Sequence, residues 1–294
     1  MAQAKAVACE RPALLGLPLS RFSITEVRDW IMAEQVVQAV SAITVWRWLH
    51  EDAIRPWFYR CWIFPRDPQF LMKASPVLDL YQRIWQGQPL GAHDYVISAD
   101  EKTQLQALGR LSPTLPPQPE SLGRFEFEYD RNGILAYLAA LDVFSGKVFG
   151  RVDQTTGIVP FNKLIHLVMQ QEPYANAHRV FWLVDNGASH HPSTFPERLK
   201  ALYPNAVAVM LPYHASWLNQ AELYFSILQR KALTPNDLAT PQLLAERILG
   251  FQEHYNLTAK PFHWKFTRAD LKHRMEQLNY CPITDSRRTC EIVY

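Results

Sequence analysis

The chain has 294 residues, 48% of them apolar and 20% charged, enough to bury a large core in about two folded units at roughly 150 residues each. A balance of 30 Lys and Arg against 28 Asp and Glu leaves a net charge of +2, which excludes a disordered polyelectrolyte and confines any basic surface to local patches. The longest apolar run, Ile134 to Leu141, falls far short of the roughly 20 residues that cross a bilayer, and no secretory signal opens the chain. Cys9, Cys61, Cys281 and Cys290 contain no CxxC pair, so neither a zinc knuckle nor a disulfide framework is expected, and a reducing, cytoplasmic compartment is the simpler reading.

Ser23 to Met32 and Ser41 to Asp52 read as two helices, each opened by a serine able to cap it, in a helix-turn-helix outline. Next comes RPWFYRCWIFPRDPQF, in which Pro56, Pro65 and Pro68 preclude one continuous helix. Its Trp57, Phe58, Tyr59, Trp62 and Phe64 read as a hydrophobic seam in preference to a DNA-stacking surface. A helix is expected from Val77 to Trp85.

Strands follow. Tyr95 to Ala99 is a short buried run, and Arg124 to Asp130 alternates aromatic with charged residues as a half-exposed strand does. The Pro-rich Ser112 to Glu120 reads as a surface loop between them. Arg131-Asn132-Gly133 reads as a turn, Ile134 to Val143 as a central strand, Ser145-Gly146 as a second turn and Lys147 to Val152 as a third strand. Helix and strand then alternate: Phe161 to Gln171 helical, Arg179 to Val184 a buried strand, Pro196 to Tyr203 helical, Ala206 to Leu211 another buried strand. Trp217 to Lys231, Pro241 to Tyr255 and Thr267 to Asn279 complete the chain as helices, the second turning Leu244, Ile248, Leu249 and Phe251 to a core. The order predicts an α/β fold, a mixed sheet flanked by helices resembling ribonuclease H, preceded by a small all-α helix-turn-helix domain. The expected divisions are 1–55 for the DNA-reading unit, 56–90 for the connector, 91–280 for the catalytic domain and 281–294 for a tail.

Asp100 is expected to end the first strand and Asp185 a later one. A carboxylate emerging from a buried apolar strand is costly unless paired or cation-bound, and parallel strands would bring the two to one edge. Glu222 falls on the helix after Trp217. There Asn219, Glu222, Ser226 and Gln229 would share one face, with Leu218, Phe225 and Leu228 turned to the core. Three converging carboxylates suit Mg²⁺ or Mn²⁺, which prefer oxygen ligands. Glu101 is the rival first ligand.

The segments ISADEKTQLQALGR, LVDNGASHH, LPYHASWLNQAELYFSILQRKAL and YNLTAKPFHWKFTRADL together resemble the catalytic domain of bacterial insertion-sequence transposases related to the mariner group, the DDE type of the retroviral-integrase superfamily. The resemblance runs from about Asp94 to Leu271. It implies a ribonuclease H-like fold, two Mg²⁺ ions with Mn²⁺ able to substitute, release of the element's ends, and joining of their 3′-hydroxyls to target DNA, usually at TA. Asp100, Asp185 and Glu222 fall on the family's three metal ligands. Double-stranded DNA is the implied partner, a homodimer pairing two ends the implied assembly, and the bacterial nucleoid the implied location.

Asn186, His190 and Asn219 accompany the acids in that pattern as candidate catalytic support. Trp217 reads as a core anchor in preference to a base-stacking residue. Lys102 is placed to contact a phosphate or to pair with a neighbouring carboxylate, and Arg230 and Lys231 to track the DNA backbone or simply face solvent. SAITVWRWLH resembles the recognition helix of the second helix-turn-helix unit in these transposases, so Thr44, Arg47 and His50 are the candidate DNA contacts. Trp46 and Trp48, about 200° apart on a helix, cannot both face the core. The family commonly carries a further unit ahead of this one, and this chain opens in what resembles the linker between the two. An inactive or truncated copy that binds element ends as a repressor is therefore the alternative reading.

Overall fold

Serine caps start two helices of the N-terminal unit. In the computed structural model, which describes residues 1–58, 65 and 67–277, packing divides the chain into Met1–Phe64 and Pro65–Tyr294. In the first unit, α1 (Ala2–Ala8), α2 (Ile24–Ala33) and α3 (Ala42–Glu51) enclose a small core. Ser23 Oγ accepts from the Glu26 amide at 3.3 Å while the Glu26 carboxylate accepts from the Ser23 amide at 2.6 Å, and Ser41 Oγ accepts from the Thr44 amide at 3.1 Å. Val27, Ile31, Val45 and Leu49 are fully buried, and Phe22 and the α1 residues Ala4, Val7 and Ala8 are buried with them.

Helix α1 corrects the expectation of a linker at the start of the chain. Its alanine-rich face lets it lie close to α2 and α3, and Lys5 Nζ reaches Glu51 at 3.2 Å and Asp52 at 2.9 Å. Trp48 and Trp57 pack on this core, whereas Trp46 is exposed. Tyr59, Trp62 and Phe64 lie outside the described residues. The stretch expected as a separate connector is thus divided, with Trp57 in one unit and the helix that follows in the other.

That helix, α4 (Phe70–Tyr81), begins earlier than expected and contains Pro76. The backbone hydrogen bond that proline forfeits is offset by burial of Phe70, Ala74, Val77 and Leu78. Residues expected to continue it form a small hairpin of β1 (Ile84–Trp85) and β2 (Gln88–Pro89).

The main body continues with β3 (Asp94–Arg110), β4 (Tyr129–Asp142), β5 (Val148–Asp153), α5 (Ile158–Met169), β6 (Arg179–Val184), α6 (Phe195–Leu202), β7 (Ala206–Met210), α7 (Ala221–Ala232), α8 (Pro241–Asn256) and α9 (Arg268–Gln277). Among the described residues five strands form one sheet in the order β5-β4-β3-β6-β7. The β3–β4 and β4–β5 pairs are antiparallel, and β3–β6 and β6–β7 parallel. This is the ribonuclease H-like arrangement. Ile97, Ala99, Leu138, Ala140 and Trp182 face α5 and α6. Val96, Phe181 and Leu183 on the opposite face meet α4 and α9, and Tyr137, Ala139 and Leu141 on that face meet α7 and α8.

The expected turn at residues 131–133 is instead part of β4, and β3 runs ten residues past Asp100, so the two strands form one long ribbon. Arg124 to Glu128 lie in the loop, with Phe125 53% and Phe127 85% exposed. Their alternation has no core to cover; the Arg110 guanidinium instead lies over the Phe125 and Tyr129 rings at 5.2 and 5.0 Å and donates to the Glu126 carbonyl at 2.7 Å. The Pro-rich segment 112–120 is a loop, as expected, and β7 is a half-buried edge strand.

Asp94, at the start of β3, ties that strand to β6. It accepts from Arg179 Nε at 3.0 Å and Nη2 at 2.7 Å, and from the Gly91 amide at 2.9 Å. The Arg179 guanidinium chiefly, with the Gly91 amide and His178, holds its carboxyl at about 2 against the burial that opposes ionisation. A depressed folded pKa stabilises at pH above the unfolded value and is lost as pH falls from about 4 through about 2, here about 2 kcal/mol. Denaturant titrations between pH 2 and 7 should show that loss in the wild type and a shallower acid slope in Arg179→Met.

Gly146 fills the turn between β4 and β5 with φ +76°, and a Cβ there would stand 2.2 Å from the Lys260 carbonyl oxygen. Gly146→Ala is expected to lower stability by roughly 2–4 kcal/mol through backbone strain and overpacking, read from the denaturant midpoint.

Candidate active site

The pairing register brings the first two acids together. Parallel pairing of β3 with β6 stops at Ser98 opposite Leu183, while β4 continues along the other edge of β3. Two residues further in that register, Asp100 is level with Asp185, the first residue beyond β6. Asp100 therefore sits inside a strand and not at its end, at the point where its neighbour on one side has finished. It is 8% exposed. Its Oδ1 accepts from the Glu101 amide at 2.8 Å and its Oδ2 from Asn219 Nδ2 at 2.9 Å. Burial above all, then the negative charge of Asp185, pushes its carboxyl up to about 8 against the pull of the Glu101 amide, and Glu222 and Glu101 add to the rise.

A tight turn shapes the surroundings of Asp185. Its Oδ1 accepts from the Gly187 amide at 2.9 Å and lies 3.0 Å from His190 Nδ1, which is also 2.9 Å from the Asp185 carbonyl. A carbonyl can only accept, so Nδ1 carries the proton. The His190 ring is 2% exposed and packs at 4.7 Å from Phe161 and 6.1 Å from Phe195. It is placed to orient Asp185. A Cβ on Gly187 would lie 2.8 Å from His190 Cε1 and 3.1 Å from Asp185 Oδ1, so the turn leaves no room for a side chain. Asn186 faces away from the acids and donates to the Leu211 carbonyl at 2.8 Å.

Glu222 is exposed in the first turn of α7. Residues 216–218 form a 3-10 turn, Asn219 is extended, and the helix starts only at Ala221. This removes Asn219 from the face shared by Glu222, Ser226 and Gln229; it instead sits beneath the helix start, 1% exposed. Leu218, Phe225 and Leu228 are buried as expected. Trp217 is not a core anchor: the 3-10 turn gives the inward position to Leu218, leaving Trp217 46% exposed and edge-on to Phe266 at 5.6 Å. Leu249 of α8, also expected in the core, is 36% exposed.

Strand alternation sends Glu101 to the other face from Asp100. There its carboxylate accepts from Ser189 Oγ at 2.6 Å, and Arg198 donates to the Ser189 carbonyl. Lys102 shares the Asp100 face, half-buried, and makes no ion pair among the described residues. Arg230 and Lys231 are exposed in the last turn of α7. In the N-terminal unit Arg47 is exposed on α3, His50 stacks under Trp46 at 4.7 Å, and Thr44 Oγ1 is 2.9 Å from Ser41 Oγ.

Every donor that Asp100, Asp185 and Glu222 offer is a carboxylate oxygen, the set that hard divalent cations take. Burial of Asp100 among like charges is the electrostatic condition a cation relieves. Among the described residues no three His, Cys, Asp or Glu side chains already stand close enough to hold an ion.

Residues 100–241 match the family model described as DDE superfamily endonuclease, beginning on Asp100 itself. They form a DDE endonuclease domain. The chain is also similar to the Mos1 strand transfer complex, at 15% identity over 88% of this chain and 77% of that one with a TM-score of 0.49. It is similar to the Mos1 mariner paired end complex with Mn at 14% identity over 90% and 80%, TM-score 0.43. A simian T-cell lymphotropic virus intasome structure matches at 13% identity over 61% and 55%, TM-score 0.29. No curated protein matches the chain significantly.

The endonuclease domain also holds residues that the sequence analysis did not single out. Ser98, fully buried, bonds Asn219, and Ser189 links Glu101 to Arg198. A hydroxyl inside the otherwise apolar run from Tyr95 to Ala99, two positions before Asp100, was the available signal for Ser98.

Proposed function

We propose that the chain is a DNA transposase that cuts at the ends of an insertion sequence and transfers the 3′-hydroxyl ends into target DNA, at TA. The observation that carries this is the register that sets Asp100 beside Asp185 under the start of the helix bearing Glu222, within a DDE endonuclease domain. Mg²⁺ bound by these three acids, or Mn²⁺ in its place, would activate a water or a 3′-hydroxyl and stabilise the leaving oxygen of a phosphodiester. Asp100 is held by Asn219 and the Glu101 amide, and Asp185 by Gly187 and His190. Glu222, exposed and free to change rotamer, would close the set.

Double-stranded DNA is the substrate on this reading. Helix α3 would enter the major groove with Arg47 and His50 toward the bases and Thr44 at the helix start, while Lys102, Arg230 and Lys231 would take phosphates. A homodimer would pair two element ends. Among the described residues no helix is long and apolar enough to cross a membrane. The test incubates the purified chain and Mg²⁺ with a DNA fragment ending in the inverted repeats that flank its gene, plus a plasmid target. Joined products at TA are the expected result. Cleavage without joining would make it a nuclease, and binding without cleavage an end-binding repressor; either overturns the proposal.

A further inference from the structure

The first acid and the helix carrying the third are bonded to each other through two side chains that solvent does not reach. Ser98 is 0% and Asn219 1% exposed. Asn219 Nδ2 donates to Asp100 Oδ2 at 2.9 Å and to the Ala99 carbonyl at 3.0 Å. Its Oδ1 accepts from Ser98 Oγ and from the Ala221 amide at 3.1 Å. The Ala221 amide, one of the donors a helix start leaves without an intrahelical partner, also lies 3.3 Å from Ser98 Oγ. Asn219 closes the arrangement with its own carbonyl, which accepts from the Glu222 amide at 3.2 Å.

Every donor and acceptor of the Asn219 amide is thus used, and only one orientation uses them all. Flipped, its carbonyl would face the Asp100 carboxylate and the Ala99 carbonyl, and its NH₂ would face the Ala221 N–H. In the observed orientation the Ser98 hydroxyl donates to the amide oxygen and so selects the rotamer that offers an N–H to Asp100. Gln220, the residue before α7, makes no side-chain cap. Side chains from β3 and the preceding turn supply the cap instead, which ties the position of Glu222 to that of Asp100.

We propose that Ser98 and Asn219 are positioning residues that set the separation of Asp100 and Glu222 for a shared divalent cation, Ser98 acting through the Asn219 amide. This rests on the reading of the three acids as a cation site. The test is Mn²⁺ binding to the full chain without DNA, by electron paramagnetic resonance or calorimetry, with thermal melting alongside. Ser98→Ala is expected to weaken Mn²⁺ binding about tenfold, in line with the cost of losing a partner that orients a metal ligand. Ser98→Thr, which keeps the hydroxyl, should restore it. Should Ser98→Ala not fold, Asn219→Ala in the same titration carries the test.

A lowered melting temperature with Mn²⁺ affinity within about twofold of wild type would make the relay merely structural and overturn the proposal. Asp185→Asn separates the two levels of inference. If it loses Mn²⁺ while Ser98→Ala and Asn219→Ala retain it, only the relay fails. If wild type and Asp185→Asn bind alike, the cation-site reading fails and the relay with it.

Discussion

Asp185→Asn is expected to reduce Mg²⁺-dependent cleavage at element ends by at least about 10³-fold, some 4 kcal/mol of transition-state stabilisation, while DNA binding stays unchanged. The substitution keeps the shape of the side chain. An amide oxygen in the Oδ1 position still accepts from the Gly187 amide and still meets His190 Nδ1, so the turn at 185–190 has no reason to rearrange. What is lost is the negative charge, and with it the anionic oxygen that a hard cation takes in preference to a neutral one. Asp100 gains, because the charge of Asp185 is the second cause, after burial, of its raised pKa. The variant should therefore melt no lower than wild type in the absence of metal. Cleavage is read on end-labelled DNA and binding by gel shift. Purified variant that cuts within about tenfold of wild type would remove Asp185 from the chemistry.

Much of this geometry could be read along the chain because the strands that carry the first two acids open as buried apolar runs bounded by a polar residue. The run VFWLV followed by Asp185 marks both the strand and the point where it leaves the core, and VISAD marks the strand as far as Asp100 but not where it ends. The end of β3 was not legible. Its pairing beyond Asp100 is set by β4, a partner whose register lies in another part of the sequence. A bulge between Lys102 and Leu105 also exchanges which alternate residues face the core, so that Leu105 and Ala107 continue the inward face that Asp100 and Lys102 would otherwise carry. The aromatic alternation at 125–129 misled for the opposite reason: it has the period of a strand and no layer to lie against.

The site divides in the same way. Acids that directly follow a buried run carry a local signature, because a charge there is costly. The placement of Asn219 under the helix start has none, and the hydroxyl of Ser98 marks a polar group in an apolar run without naming its partner. Helical spacing alone places Asn219 beside Glu222, and the 3-10 turn that carries it under the helix start depends on Leu218 packing inward and Tyr81 donating to the Leu218 carbonyl at 2.5 Å from a distant helix. His190 was legible as a neighbour of the second acid, but its burial against Phe161 and Phe195, which makes it an orienting group, required two helices to be in place.

Asp100 and Glu101 are adjacent acids, and exchanging each for its amide should separate them. Asp100→Asn is expected to abolish cleavage, by at least about 10³-fold, whereas Glu101→Gln should stay within about tenfold of wild type. The reason is the pleat. Asp100 shares the face on which Asn219 and α7 lie, whereas the Glu101 carboxylate bonds Ser189 on the other, a contact that a glutamine oxygen reproduces. Stability should move the other way. A carboxyl whose folded pKa is raised, here to about 8 from 3.8, costs stability increasingly as pH rises above its unfolded value, until it is ionised in both states. Asparagine carries no such cost, so metal-free Asp100→Asn should melt higher than wild type, by a margin that widens between pH 5 and 8. Mg²⁺ should narrow that margin, since it stabilises only the chain that retains the carboxylate. An inactive Glu101→Gln beside an active Asp100→Asn would transfer the role of first acid to Glu101.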